Sequence, residues 1–174
     1  MIEYMHPDEA FMPPEDDKAL APNEARALII PFGLEKSVSY EGGTSKGPQA
    51  IIDASPQLEQ FDEVFWCEAI KGYGIATMQA PVIQNDLDDA LTQLGEIVGK
   101  ALDLGKFPLV LGGEHSLTPG AIRPFVNRYE TLTILQFDAH ADLRDGYEGI
   151  HNSHAAAMCR CLDNPNVRLV SVGI

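Results

Sequence analysis

The chain has 174 residues, of which 45% are hydrophobic, so it is long enough to form one globular domain with a hydrophobic core. Twelve Lys and Arg against 26 Asp and Glu give a net charge of -14, which disfavours binding to nucleic acid and to membrane surfaces and favours cationic ligands. Three cysteines, Cys67, Cys159 and Cys161, are an odd number and too few for a disulfide scaffold, which indicates a reducing, cytoplasmic location.

Residues 1–24 predict an N-terminal arm. The segment has no hydrophobic periodicity and contains four prolines, so we expect it either to lie over a surface or a partner, or to fray as a tail. It lacks a basic flank followed by an apolar core, and therefore predicts neither a signal peptide nor a membrane anchor. No later apolar run reaches the roughly 20 residues of a membrane helix.

Residues 25–174 predict one α/β domain, beginning with the apolar run Ala27–Phe32, which is typical of a buried parallel strand. Pro48 suits the first turn of a helix that runs from Gln49 to about Leu58. Short strands are expected at Val64–Trp66 and Tyr73–Ala76. The glycine-rich segment 41–48 resembles a phosphate-binding loop, but Lys46 is followed by Gly and Pro instead of Ser or Thr, so the order of residues argues against nucleotide binding.

The second half of the domain alternates helices with strands. Leucines recur at helical spacing between Asp86 and Leu104, and Gly105 favours the end of that helix. The later elements are a central strand Phe107–Leu111, a helix from about Leu117 to Tyr129, a strand Leu132–Phe137, a helix His154–Leu162 and a strand Val167–Val172. This alternation predicts a mostly parallel sheet.

Asp138, His140 and Asp142 occupy alternate positions immediately after the predicted strand Leu132–Phe137. In an extended chain such positions share one face, whereas in a helix they point in different directions. Two carboxylates brought together repel each other unless a cation neutralises them. The segment therefore predicts a divalent metal site, although Asp138 and Asp142 could instead be a strand-end carboxylate and a turn cap.

His115 follows the predicted central strand Phe107–Leu111 and two glycines, Gly112 and Gly113, that allow a tight turn. Ligands in open α/β sheets bind beyond the carboxyl ends of strands, where His115 and the Asp-His-Asp segment both fall. Mixed imidazole and carboxylate ligands suit manganese, zinc or iron, and the number of oxygen ligands favours manganese. The alternative for His115 is a hydrogen-bonded histidine at a helix start.

The remaining histidines and cysteines have weaker signals. His154 is a plausible acid–base group because histidine titrates near neutral pH. His151 is as compatible with an acid–base role as with none, and His6 is expected at the surface. Cys159 and Cys161 point to different faces of a predicted helix, so we interpret both as packing residues.

The segments Leu111–Ser116 and Phe137–Asp142 closely resemble the two metal motifs of the ureohydrolase family of agmatinases and arginases. Ser153-His154 resembles the family segment that carries a catalytic histidine. Ser39–Thr44 and Lys46–Pro48 are similar to bacterial agmatinases, as is Glu114, where arginases usually have Asp. The resemblance covers about residues 24–174.

The resemblance implies an arginase-like, three-layer α/β/α fold and two manganese ions bridged by hydroxide, which attacks a guanidinium carbon and releases urea. His115, Asp138 and Asp142 would hold one ion, with Asp138 bridging and His140 on the other, and His154 would pass a proton to the leaving amine. The expected substrate is a small cationic guanidino compound, agmatine, which yields putrescine for polyamine biosynthesis. Relatives are usually trimers or hexamers, so a homo-oligomer is expected.

Two departures from the family pattern keep alternatives open. A further Asp-x-Asp motif and a later Glu of the family are absent from residues 1–174, so the chain looks truncated. With these ligands missing, the second manganese ion should bind weakly. A strand edge of the sheet should also be exposed. The alternatives are a short, non-catalytic paralogue that pairs with a full-length subunit, a ureohydrolase acting on guanidinobutyrate or arginine, and a deacetylase of related fold.

Overall fold

The computed structural model describes residues 2–14 and 20–174. In chain order the strands are β1 (Ala27–Phe32), β2 (Phe61–Asp62), β3 (Cys67–Glu68), β4 (Ile75–Thr77), β5 (Phe107–Gly112), β6 (Leu132–Phe137) and β7 (Val167–Val172). The α-helices are α1 (Gly47–Ala54), α2 (Ala69–Tyr73), α3 (Leu87–Asp103), α4 (Thr118–Val126) and α5 (Ala157–Leu162). Short 3-10 turns at His115–Leu117 and His154–Ala156 lead into α4 and α5.

The first sheet has β1 at its centre, paired in parallel with β4 on one side and β5 on the other. Every residue of β1 is buried, as expected for a strand covered on both faces. Leu28, Ile30 and Phe32 pack in the main hydrophobic cluster with residues of α3, while α1 contacts β1 and β5. The predicted α/β class with a mostly parallel sheet and flanking helices is therefore confirmed.

Helix α3 was predicted correctly from its leucine spacing, and its cap and buried face show why. Asp86 caps its start by accepting hydrogen bonds from the amides of Asp88 and Asp89. Leu91 and Leu94 on its apolar face are fully buried, and burial of each leucine contributes about 1.5–3 kcal/mol. The helix contacts both β5 of the first sheet and α4.

Strands β6 and β7 pair in parallel along their whole predicted length. One face of this pair packs on α5, where Ile134 and Leu169 contact a cluster formed by Ala157, Met158 and Cys161. The other face leaves Leu135, Phe137, Val170 and Val172 exposed. The described residues, 2–14 and 20–174, therefore leave this apolar sheet face uncovered.

The expectation that the strand at 107–111 is central is wrong for the described residues. Strand β5 pairs only with β1, and within residues 2–14 and 20–174 neither its outer edge nor the outer edges of β6 and β7 have a strand partner. The centre of the first sheet is β1. The apolar run of β5 predicted the strand but carried no information about its neighbours.

The predicted strand at Val64–Trp66 is also wrong, because these residues form the turn of a β2–β3 hairpin. Asp62 Oδ1 accepts hydrogen bonds from the amides of Val64 and Phe65, a side-chain turn that competes with strand formation. The strand expected at Tyr73–Ala76 begins only at Ile75, after α2.

Three other helices are shorter than predicted. Helix α1 ends at Ala54 and continues as a 3-10 turn, α4 ends at Val126, and α5 begins at Ala157 after its 3-10 turn. Pro48 lies in the first turn of α1, as expected.

The described part of the N-terminal segment lies along β4. Tyr4 forms an isolated antiparallel bridge with Met78, and the Phe11 amide donates to Thr77 Oγ1. Buried Lys106 donates from Nζ to the carbonyls of Pro22, Asn23 and Ala25, and desolvation lowers its pKa. Residues 15–19 of the predicted arm lie outside the described residues. None of the helices in the described part of the chain has the length and hydrophobicity that crossing a bilayer requires.

Candidate metal centre

Three of the four predicted ligands come together beyond the carboxyl ends of β5 and β6. His115, Asp138 and Asp142 each offer one ligand atom, and these atoms lie within 4.8 Å of one another. His115 Nδ1 is 2.6 Å from Asp142 Oδ2 and 3.5 Å from Asp138 Oδ2. One imidazole nitrogen and two carboxylate oxygens form a donor set that fits manganese, so the residues present suit the implied ion.

Asp138 is held in position by a side-chain turn at the end of β6. Its Oδ1 accepts a hydrogen bond of 2.9 Å from the His140 amide. This bond, together with the nearby His115 ring, lowers the pKa of Asp138 and favours the carboxylate form. Its Oδ2 remains directed towards His115.

Asp142 reaches the site through a strained backbone conformation. Its φ of 49° lies in the left-handed region, which Asp adopts more readily than most residues. The Asp142 carbonyl accepts hydrogen bonds from the amides of Met158 and Cys159, which lack partners within α5 at the helix start. Helix α5 therefore fixes the backbone that aims this carboxylate.

His140 lies outside the three-residue group. Its side chain is 82% exposed, and its Nδ1 is 3.5 Å from Asp138 Oδ1, the carboxylate oxygen that faces away from His115. Buried Gln136 donates from Nε2 to the His140 carbonyl and so fixes the backbone at this point. His140 is therefore available to a ligand beside Asp138 Oδ1, while His115 approaches Oδ2.

His154 and residues of the metal-ligand segment line one open cavity of about 800 Å³. The other lining residues include His140, Asp142, Arg144 and Tyr147. The Tyr147 ring packs edge-on against the His154 ring, with centroids 5.8 Å apart. The His154 imidazole and Asp142, one member of the ligand group, thus adjoin the same solvent-accessible space.

Sequence reasoning did not assign a site role to Ser37, Ser39 or Glu114. Ser37 and Ser39 Oγ lie 3.3 and 2.9 Å from His154 Nδ1 and Nε2, respectively. Buried Glu114 accepts hydrogen bonds from the amides of Lys36 and Ser37 and from the Ser37 hydroxyl. Of these three residues, only Glu114 could have been recognised from its sequence neighbours, because it is a charged residue next to an apolar strand.

The other weak signals lie away from this group. His6 is 70% exposed, and His151 contacts the buried Arg160 guanidinium beside Asp145. Cys161 is fully buried, and burial raises its pKa to about 12, which fits a packing role. Cys159 is partly buried and accepts a hydrogen bond from Arg160.

The loop that carries Ser37 and Ser39 is held by Glu35. Its carboxylate accepts hydrogen bonds from the amides of Ser45 and Gly43 and from the Thr44 hydroxyl, and these bonds lower the pKa of Glu35 to about 2. Because the folded-state pKa is below the ordinary value of 4.5, the contribution to stability is complete above pH 4.5 and is lost as the pH falls towards 2.

Replacing Glu35 with glutamine is expected to accelerate hydrogen exchange at the Gly43 and Ser45 amides at neutral pH. Between pH 4.5 and 2, the number of protons taken up on unfolding should be smaller in the variant by up to one. Amide exchange measured by NMR and denaturation at several pH values check these results. Glu41→Gln, in the same loop, should keep both amides protected; equal exchange in the two variants would contradict the role of Glu35.

The sequence model of the Arginase family matches residues 25–174. The chain belongs to the arginase family. An N(1)-aminopropylagmatine ureohydrolase of Synechocystis sp. is 34% identical over 147 residues, which are 80% of this chain and 48% of that protein. An agmatinase of Bacillus anthracis is 32% identical over 142 residues, with the same shares covered. The family resemblance inferred from the two motifs is thereby confirmed.

Solved structures agree on the fold. Proclavaminate amidino hydrolase from Streptomyces clavuligerus superposes with a TM-score of 0.80 at 21% identity, covering 95% of this chain and 56% of that one. Agmatine ureohydrolase of Thermoplasma volcanium gives 0.73 at 24% identity, covering 94% and 61%. The arginase-like fold is thus confirmed. The chain spans about half the length of the curated relatives it matches.

Proposed function

We propose that this protein hydrolyses a guanidino compound, most simply agmatine to putrescine and urea, with manganese held by His115, Asp138 and Asp142. The observation that carries the proposal is the convergence of these three ligand atoms within 4.8 Å beside the cavity that His154 also lines. The relatives named agmatinase and aminopropylagmatine ureohydrolase support the same class of substrate.

A manganese ion at this group would supply Lewis-acid activation of water near neutral pH. Asp138 Oδ1 and His140 Nδ1 provide donors for a second, more weakly held ion on the exposed side of the group. Asp142 lines the cavity, and the net charge of -14 favours the approach of a guanidinium cation.

His154 provides the acid–base function of the proposed reaction. Breaking the C–N bond of a guanidinium requires a proton on the departing amine nitrogen, and an imidazole is suited to supply it at neutral pH. His154 and Asp142 line the same cavity, so a substrate bound there can contact the His154 ring. The acidic net charge of the chain favours agmatine over guanidinobutyrate, which carries a carboxylate.

Urea release tests this proposal. Residues 1–174, and any longer reading frame that the gene encodes, should be loaded with manganese and incubated separately with agmatine, guanidinobutyrate and arginine. We expect urea from agmatine in the complete protein, and His154→Ala should lower turnover by about 100-fold or more while manganese binding is kept. A manganese-loaded complete protein that releases no urea from any of the three compounds would contradict the proposal.

A further inference from the structure

The contacts of Ser37 determine which nitrogen of His154 carries the proton. A hydroxyl group has one hydrogen to donate and two lone pairs with which to accept. Ser37 Oγ lies 2.9 Å from Glu114 Oε1, 2.9 Å from the His154 amide nitrogen and 3.3 Å from His154 Nδ1. These three neighbours account for the full hydrogen-bonding capacity of the hydroxyl.

Glu114 fixes the direction of the first bond. Its Oε2 accepts from the backbone amides of Lys36 and Ser37, and its Oε1 accepts from the hydroxyls of Ser37 and Ser116. A carboxylate has no hydrogen to donate, so the single Ser37 hydrogen points towards Oε1. Glu114 is 5% exposed, and buried acceptors of this kind keep their donors because losing them costs free energy.

The other two bonds follow from the first. The His154 backbone amide can only donate, and it occupies one lone pair of Ser37 Oγ. Nδ1 can then interact favourably with the second lone pair only if it carries a hydrogen, because Ser37 has none left to offer. In the neutral ring Nε2 is consequently an acceptor, and it receives the hydrogen of Ser39 Oγ at 2.9 Å.

We propose that Glu114 and Ser37 are positioning residues that hold neutral His154 as its Nδ1–H tautomer and leave the Nε2 lone pair on the side of Ser39 and the cavity. Ser39 and His154 both line that cavity, so Nε2 is the nitrogen placed to take up and return a proton. This catalytic consequence rests on the proposed function, whereas the tautomer itself does not. The arrangement joins three distant parts of the sequence, at residues 37, 114 and 154.

The tautomer can be measured directly by NMR. Protein labelled with ¹⁵N-histidine is studied in two-bond ¹H–¹⁵N correlation spectra at about pH 8.5, where an ordinary histidine is neutral. We expect a pyrrole-type Nδ1 and a pyridine-type Nε2 for His154. A dominant Nε2–H form in the unaltered protein would overturn the proposal, even if the enzyme releases urea; the expected tautomer without urea release would count only against the proposed function.

Three variants separate this role from general support of the fold. Ser37→Ala removes the acceptor and should shift His154 to the Nε2–H form, which can donate to Ser39, whereas Ser37→Thr keeps a hydroxyl and should restore the Nδ1–H form. Ser39→Ala is the matched control and should leave the hydrogen on Nδ1. An unchanged signal from His151, whose ring contacts buried Arg160, reports an intact fold, and a Ser37→Ala protein that keeps the Nδ1–H form would contradict the proposal.

Discussion

Asp142→Asn is expected to weaken manganese binding by more than about 100-fold, because loss of even a residue that only supports a ligand costs about 10–100-fold. The substitution preserves the size of the side chain but removes its negative charge. Titration of residues 1–174 with manganese, followed by electron paramagnetic resonance of the free ion, gives the dissociation constant.

The geometry explains why Asp142 should matter this much. Its Oδ2 is 2.6 Å from His115 Nδ1, closer than Asp138 Oδ2 at 3.5 Å, and its backbone is fixed by the start of α5. An asparagine can still adopt the left-handed backbone and accept from the His115 ring. The apo protein should therefore keep its melting temperature. In the unaltered protein, manganese at 100 times the dissociation constant should raise the free energy of unfolding by about 2.7 kcal/mol, and this stabilisation should largely disappear in the variant.

Glu96→Gln is the matched control for the Asp142 variant. Glu96 is an exposed carboxylate on α3, so its replacement removes the same charge without touching the ligand group. It should leave manganese affinity nearly unchanged. Equal affinities for the Asp142 variant and this control would show that manganese binds elsewhere.

Several elements of the fold could be predicted because single short segments determine them. Strands β6 and β7 have the predicted bounds, since each is a run of mainly apolar residues closed by a polar residue or a glycine. Helix α3 was predicted within one residue at each end from its leucine spacing and from Gly105, which follows its end. By contrast, the position of β5 at a sheet edge depends on which strands are its neighbours, and no local pattern carries that information.

Three of the four residues predicted as metal ligands lie close together, but not by the geometry that was expected. Alternate positions in an extended chain were expected to bring Asp138, His140 and Asp142 to one face, but β6 ends at Phe137 and the chain then turns. Asp142 meets Asp138 through its left-handed backbone, and His140 points into solvent. Residue types and spacing thus indicated a metal site, while the turn that builds it depends on contacts with α5.

Ser37 could not be recognised from the sequence, because its role depends on partners 77 and 117 residues away. A serine in a polar loop gives no local signal of such contacts. Glu114 was noticed only as a family resemblance, although a carboxylate beside an apolar strand predicts a need for hydrogen-bond donors. Long-range polar contacts of this kind require the folded chain to be known.

Gly113→Ala is expected to destabilise the protein by about 3 kcal/mol or more, at the upper end of what inserting one carbon into a packed site costs. A Cβ at this position would lie 2.2 Å from the Leu34 carbonyl oxygen and 2.5 Å from the Leu34 nitrogen. Both are backbone atoms of a fully buried residue, so no side chain can move aside to make room. Chemical denaturation measures the free energy of unfolding.

The same clash should reach the metal centre and the His154 network. The Glu114 amide donates to the Leu34 carbonyl at 2.9 Å, so separating the two segments breaks this bond and displaces both Glu114 and His115. We therefore expect weaker manganese binding in whatever fraction remains folded. Gly72→Ala is the matched control, because a Cβ there meets nothing within 4 Å and Gly72 lies in α2, where alanine favours the helix. Equal stabilities of the Gly113 and Gly72 variants would show that the loop carrying Leu34 yields freely, and His115 would then not be held by this contact.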